Sequence, residues 1–593
     1  MNQMQLFREE KWDLSELVKD PESPQFTKRL EAIQRDVKNF EKNKKILKST
    51  IPEKKFLAML HTLEEITEQF GRVSGYASLE YSSDTQSDKA TSLVSRMRKL
   101  GAQLENQTLF FDQWWKKQLD EKNAQRLMRA SGELYEFLRY KRLLAKYSLT
   151  EPEERIINTL DVTGHSALVK IYDKITNAFV FEVKIDGKTK KYNREELSVL
   201  IRNPRSKTRE IAYKALLSEF DKNKGVLGEI YQNIVSNWKD ECIHIRGYSS
   251  PISVRNIGND TDDKTVDALL SVCKKNSDVF RKFFLLKARI MNMKKLRRYD
   301  IYAPTKKREE KKYSYDKAVK LVLDTLDDFS PRLSEYAKRV FVQRHVDSTI
   351  RPGKRSGAFC STISPKITPY VLVNFKGRTN DVFTLAHELG HAIHSIAASG
   401  KSIFIAEAPL PLAETASTFS EMLLFNKILD QIPDNEQQSL LTEHMNDLYA
   451  TVGRQAYFTL FEIAAHEKIG NGAMVQDITS EYTKTLKDQF GNSVDVTPDF
   501  GIEWTCIPHF YHSPFYCYSY SFGNLLSLSL YQRYRKEGRS FASTYIGILA
   551  AGGSKKPEDL LKEHGIDITS ESFWQEGFEY IKNQTERLGK VIN

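Results

Sequence analysis

Apolar residues recur every three or four positions over long stretches of this chain, at residues 84–107, 207–238 and 315–340. That is the 3.6-residue period of amphipathic helices. Alternation is rare. Residues 179–192 alternate better than most and carry Asp186-Gly187 at their middle, which predicts a hairpin closed by a tight turn. Eighteen prolines and 28 glycines in 593 residues, with 28% charged side chains, suit a large and mainly α protein. Length alone suggests about four domains, yet few linkers divide the chain and no repeat or low-complexity tract appears. A soft boundary falls near residue 195, after the hairpin.

One helical segment carries chemistry. Residues 381–394 are apolar and include His387-Glu388-Leu389-Gly390-His391. At 100° per residue the two histidines lie one turn apart on one side, so both can reach a single metal ion. Glu388 beside them can take a proton from a metal-activated water, the ligand-plus-base pattern of a zinc peptidase. Asn380 or Asp381 is the N-cap candidate and Gly400 the stop. His466-Glu467 lacks a second histidine and reads as an ordinary surface turn.

Catalytic zinc takes three protein ligands and leaves one position open. His394 is the nearest candidate, but three ligands in one column of a straight helix cannot surround an ion. The elongated motif with a bending glycine is excluded, because His394 and Ala397 stand at its last two marked positions. A carboxylate on a second helix remains. Glu414 and Glu421, seven apart in a small and apolar stretch after Pro411, look toward the same side as Ser417. Buried carboxylates need a partner, and a metal with its histidines is one. Glu414 is the favoured third ligand, Glu421 a candidate acceptor for a ligand histidine N–H, and Glu407 a rival in the preceding loop. Gly390, with no side chain, would let the second helix come close.

Downstream, two of the 12 histidines and four of the 27 tyrosines fall within residues 509–520. If the chain is helical after Pro514, Tyr516 and Tyr520 share a face and Tyr518 turns away. Tyr O–H and His N–H groups are suitable donors to an oxyanion.

Taken together these residues resemble oligoendopeptidase F, within the thimet-oligopeptidase-like zinc metallopeptidases. The likeness runs through residues 357–360, 369–377, 381–391, 413–421, 508–511, 515–520 and 552–557 to Phe573-Trp574, in matching order over at least residues 200–585. It implies a two-lobed, mainly α metallopeptidase with a deep substrate channel and a small β-sheet near the active site. A helical N-terminal domain would span residues 1–195 and the catalytic domain residues 196–593. It implies one Zn2+ held by His387, His391 and Glu414, with Glu388 as general base. His509 is the histidine that best fits the family's oxyanion donor, with Tyr518 and Tyr520 as the preferred tyrosines and Tyr511 and Tyr516 as rivals. The run Tyr370–Asn374 resembles the edge strand that pairs with bound peptide. Internal cleavage of short oligopeptides follows. The alternatives are a zinc carboxypeptidase on a similar scaffold and a non-catalytic peptide-binding protein.

Composition narrows the setting. No stretch approaches the roughly 20 apolar residues that cross a bilayer, and the first residues lack a signal-peptide core. Five scattered cysteines predict reduced thiols and a cytoplasmic protein. The net charge of +11 invites a nucleic-acid reading. Its densest runs, residues 294–298 and 306–312, are short, read as solvated helix faces, and come with no nucleic-acid motif. Gly400-Lys401-Ser402 ends like a phosphate loop, but Ser395 stands where the first glycine must be. A manganese or cobalt ion would also suit a His₂Glu set, and a basic protein favours acidic peptides if its charge lies at the cleft.

Overall fold

The computed structural model describes residues 6–305 and 311–592. It is mainly helical with three small sheets. The long predicted helices form, but each breaks where local chemistry demands. The first begins at Asp88, where the Ser87 side chain accepts the Ala90 N–H. The second divides at Asn223 into Ser206–Lys222 and Lys224–Trp238. The third stops at Phe329 and restarts at Pro331, a residue that fits the first turn of a helix and not its interior.

The strands are β1 (Phe181–Ile185), β2 (Lys188–Tyr192), β3 (Leu296–Arg297), β4 (Val346–Asp347), β5 (Phe359–Ser361), β6 (Tyr370–Leu372) and β7 (Val494–Asp495). β1 and β2 make the expected hairpin, with Asp186 and Gly187 both at positive φ, 51° and 80°. β3 and β7 pair in parallel. In the third sheet β6 is central, parallel to β4 and antiparallel to β5. This corrects the reading of residues 370–374 as an edge strand. Both sides of β6 are taken, and the edges belong to β4 and β5.

The chain forms two compact units, each of three segments. The first comprises Met1–Lys146, Glu310–Asp430 and Arg533–Ile566, the second Tyr147–Glu309, Gln431–Gln532 and Asp567–Asn593. The boundary expected near residue 195 therefore falls inside the second unit.

In the first unit, Phe26, Leu30, Ile33, Val37 and Phe40 line one face of Pro24–Glu41 and join a core with Phe56, Phe111 and Trp115. Tyr370 and Leu372 of β6 belong to that core. Buried Asp347 on β4 accepts from Arg351 at 2.6 and 2.7 Å. Lys354 donates to the carbonyls of Asp347, Thr349 and Val373 at 3.0, 3.0 and 2.7 Å, tying the end of β6 in place.

The second unit holds buried ion pairs. Arg209 and Asp300 are each 0% exposed and 2.6 Å apart. Arg298 lies 2.5 Å from Glu503. The basic run at 294–298 is thus no solvated helix face: Leu296 and Arg297 form β3, and Arg298 is buried among its partners. In the run 306–312, residues 306–310 lie outside the described residues. His466 is likewise no surface residue but is buried within the helix Arg454–Gly470.

Candidate active site

The helix Thr379–Ala397 carries the first two candidate ligands. Its N-cap is Arg378, two positions before the nearer expected candidate, and Asp381 at the third helical position accepts the N–H groups of Lys376 and Arg378 at 2.8 and 2.9 Å. Leu385, Ala386, Leu389, Ala392, Ile393 and Ile396 bury its apolar face. His387 and His391 then project together, Nε2 to Nε2 3.2 Å.

Glu414 arrives from a turn between the one-turn helix Leu410–Ala413 and the helix Thr415–Gln431. Ser417 Oγ donates to its Oε2 at 3.0 Å, and Tyr545 donates to the Thr415 carbonyl at 3.3 Å, so the turn is braced from both sides. Gly390 explains the approach of the two helices. A Cβ there would sit 2.5 Å from the Ala416 carbonyl oxygen and 2.5 Å from the Ser417 Cα, both immovable backbone.

Glu414 Oε2 lies 3.5 Å from His387 Nε2 and 3.6 Å from His391 Nε2. Among the described residues these three are the group whose ligand atoms converge, all within 4.8 Å. His394 and Glu407 lie outside it. Glu421 meets His387 Nδ1, so that nitrogen donates and Nε2 is left to face an ion. The donor set, two imidazoles and a carboxylate, fits a divalent ion such as zinc.

The electrostatics point the same way. Burial drives the His387 imidazolium down, but hydrogen bonding to Glu421 and the charges of Glu421, Glu388 and Glu414 outweigh it, and the pKa rises to about 9. The cluster is a place for positive charge. Glu388 is 7% exposed. Burial raises its carboxyl to about 7, opposed by His387 and helped by Glu414 and Glu421. Buried His394 is pushed down to about 4 by burial and then by His391.

These groups open on a cavity of about 430 Å³. Phe359 and Cys360 of the β5 edge form one wall, and Ala406, Glu407 and Ala408 another. Burial and the nearby Glu388 charge hold the Cys360 thiol neutral.

The downstream histidine and tyrosines lie in the second unit. Phe515 is in the left-handed region at φ 57°, a turn between the helices Pro508–His512 and Tyr518–Glu537. Tyr520 Oη is 3.4 Å from His509 Nε2. The Tyr516 ring packs edge-on to Tyr520 at 5.3 Å. Tyr518 points inward and is fully buried, with Asn259 donating to its hydroxyl at 2.8 Å. Tyr511 is also core, stacked on Tyr172 at 3.8 Å. The helical-face argument placed Tyr516 with Tyr520, and the surface trio is His509, Tyr516 and Tyr520. Sequence reasoning missed what holds the turn. Buried Glu462 accepts the Phe515 N–H at 2.9 Å, and Arg255 donates twice to the Pro514 carbonyl, at 3.2 and 3.1 Å. A carboxylate in the apolar stretch 456–465 was the available signal.

The sequence profile of Peptidase family M3 matches residues 199–580, more than half of the chain. The chain belongs to Peptidase family M3. Similar proteins match over most of the chain. An oligoendopeptidase F homolog of Borreliella burgdorferi is 28% identical, with 100% of each chain covered. Oligopeptidase PepF of Bacillus subtilis is 26% identical, covering 95% of this chain and 84% of its own. The fold is shared with a candidate peptidase of Chlamydophila abortus, at a TM-score of 0.88, 24% identity and 98% coverage of both chains. Oligoendopeptidase F of Enterococcus faecium matches at a TM-score of 0.68 and 19% identity, over 96% of this chain and 99% of that one. As an M3 member the chain is a metalloendopeptidase, and its helical fold with small sheets is that of the family's solved structures.

Proposed function

We propose that this M3 peptidase is a zinc endopeptidase that cuts internal bonds of short oligopeptides, with His387, His391 and Glu414 as ligands and Glu388 as general base. The observation that carries this is the convergence of the three ligand atoms beside buried Glu388, in one cavity walled by a free strand edge. Bound zinc supplies Lewis acidity toward the scissile carbonyl and toward an attacking water. Glu388 takes the proton of that water and returns it to the leaving amine. Glu421 holds the His387 tautomer. The β5 edge offers backbone groups to an extended peptide, which fixes substrate direction without reading its side chains. His509 and Tyr520 remain the proposed donors to substrate, supported by the family resemblance and by their mutual contact. Tyr516 replaces Tyr518, whose hydroxyl is engaged in the core. Five free cysteines fit a cytoplasmic setting.

The test is cleavage of an internally quenched peptide of about ten residues, a length inferred from the relatives' oligopeptidase names. Wild type, chelator-treated wild type with zinc restored, and Glu388→Gln are compared by product mass. Internal cleavage that zinc restores, and that drops about 10³-fold or more in Glu388→Gln, is expected. Stepwise loss of C-terminal residues, or full activity in Glu388→Gln, overturns the reading.

A further inference from the structure

Once the metal, its orienting carboxylate and the base are assigned, one charged group of the cavity is left over. Glu407 lies on the wall opposite no assigned role: it is exposed, stands outside the ligand group, and forms no ion pair among the described residues. Its position is set by main chain. Gly553 N–H donates to the Ile405 carbonyl at 2.8 Å, and Gly552 holds the left-handed φ of 52°. A Cβ on Gly552 would sit 2.6 Å from the Ile405 and Ala406 carbonyl oxygens, and one on Gly553 would sit 2.5 Å from the Glu407 carbonyl oxygen. Two glycines thus let one backbone lie directly on another, and the loop that presents Glu407 is backed by atoms that cannot shift cheaply. The cavity lining contains no lysine or arginine. A zinc ion would be balanced by Glu414 and its neighbours, which leaves Glu407 as the uncompensated charge.

We propose that Glu407 selects substrate: it forms the subsite that favours a lysine or arginine side chain near the scissile bond and disfavours aspartate or glutamate. This rests on the peptidase reading of the same cavity. The chain's overall charge of +11 argues for acidic peptides, but charges beyond about 10 Å are screened at ordinary salt, so the carboxylate within the cavity decides. Selection is electrostatic and partly solvated, so a preference of about tenfold is expected, not an absolute requirement.

The test uses quenched peptides that share one cleaved bond, with Lys, Ala or Glu placed singly at each of the three residues on either side. Zinc-loaded wild type, Glu407→Gln and Glu407→Lys are compared, and product masses confirm that the same bond is cut. The readout is the Lys-to-Glu ratio of kcat/KM within each protein, so any general loss of activity cancels. We expect one position, or two neighbours, at which the wild-type ratio is about ten or more, falls toward one in Glu407→Gln, and inverts in Glu407→Lys. Ratios that agree across the three proteins at all positions, while the alanine peptide is still cut, overturn the Glu407 assignment alone. An alanine peptide left whole by zinc-loaded wild type removes the peptidase reading and this proposal with it.

Discussion

Around Asp300, in the second unit, each carboxylate is met by a cation. Arg209 and Arg297 donate to Asp300 at 2.6 and 3.0 Å, Arg297 also reaches Glu210 at 2.6 Å, and Arg298 reaches Glu503 at 2.5 Å. A further buried cation nearby, Lys287, loses its proton readily: burial and then the Arg209 charge depress its pKa to about 7. Around His387, in the first unit, Glu388, Glu414 and Glu421 face two imidazoles, and the surplus is anionic. In the first cluster every carboxylate is matched by an arginine, with Arg454 a further cation 4.0 Å from Glu503; in the second the anions are matched only by a cation from outside. Balance marks scaffold and imbalance marks a binding site.

Three changes would break or sharpen that contrast. Asp300→Asn leaves Arg209 and Arg297 without their shared anion, and the loss should be about 3 kcal/mol of stability by denaturant melting. Zinc content and kcat/KM at a permissive temperature should stay at wild-type levels; loss of zinc would show that the two clusters are not separate in function. Glu421→Gln keeps the shape around His387 but removes the charge that orients it. Zinc affinity by competition with a chelator should fall about 10- to 100-fold, with little change in stability of the zinc-free chain. An unchanged affinity would mean that Glu421 does not serve the ion.

The third effect is a slope. Between about pH 7 and 10 the folded chain holds Lys287 neutral while the unfolded chain keeps it protonated, so this lysine destabilises the fold most at pH 7 and below, and less as pH rises. In Lys287→Met that dependence disappears. The stability of the variant relative to wild type should therefore fall by up to about 1.4 kcal/mol per pH unit over this window. Matching pH profiles would show that Lys287 stays protonated in the folded chain.

The parts of this molecule legible in its sequence are those governed by neighbours in the chain. The His387–His391 pair, the Asp186-Gly187 turn and the facing of Tyr516 and Tyr520 all follow from local periodicity. Glu414 and Glu421 were found by a chemical mismatch, carboxylates in an apolar stretch, and the structure brings both to the histidines. The misreadings share one cause. β6 is central because residues near 346 pair with it, and Arg298 is buried because Glu503 awaits it. Each depends on a partner distant in sequence, which no local pattern announces. The run at 294–298 carried the charge of a surface and the position of a core.

The contact at Gly390 has a consequence for how the centre acquires its ion. Ala416 and Ser417 rest on the helix backbone itself, so the distance between the histidine pair and Glu414 is governed by main chain and does not wait for side chains to settle. A centre assembled this way is preorganised, so metal capture has little ordering entropy to overcome. A single methyl group at this position would act as a wedge between the two helices, drawing Glu414 away from the histidine pair without touching any of the three.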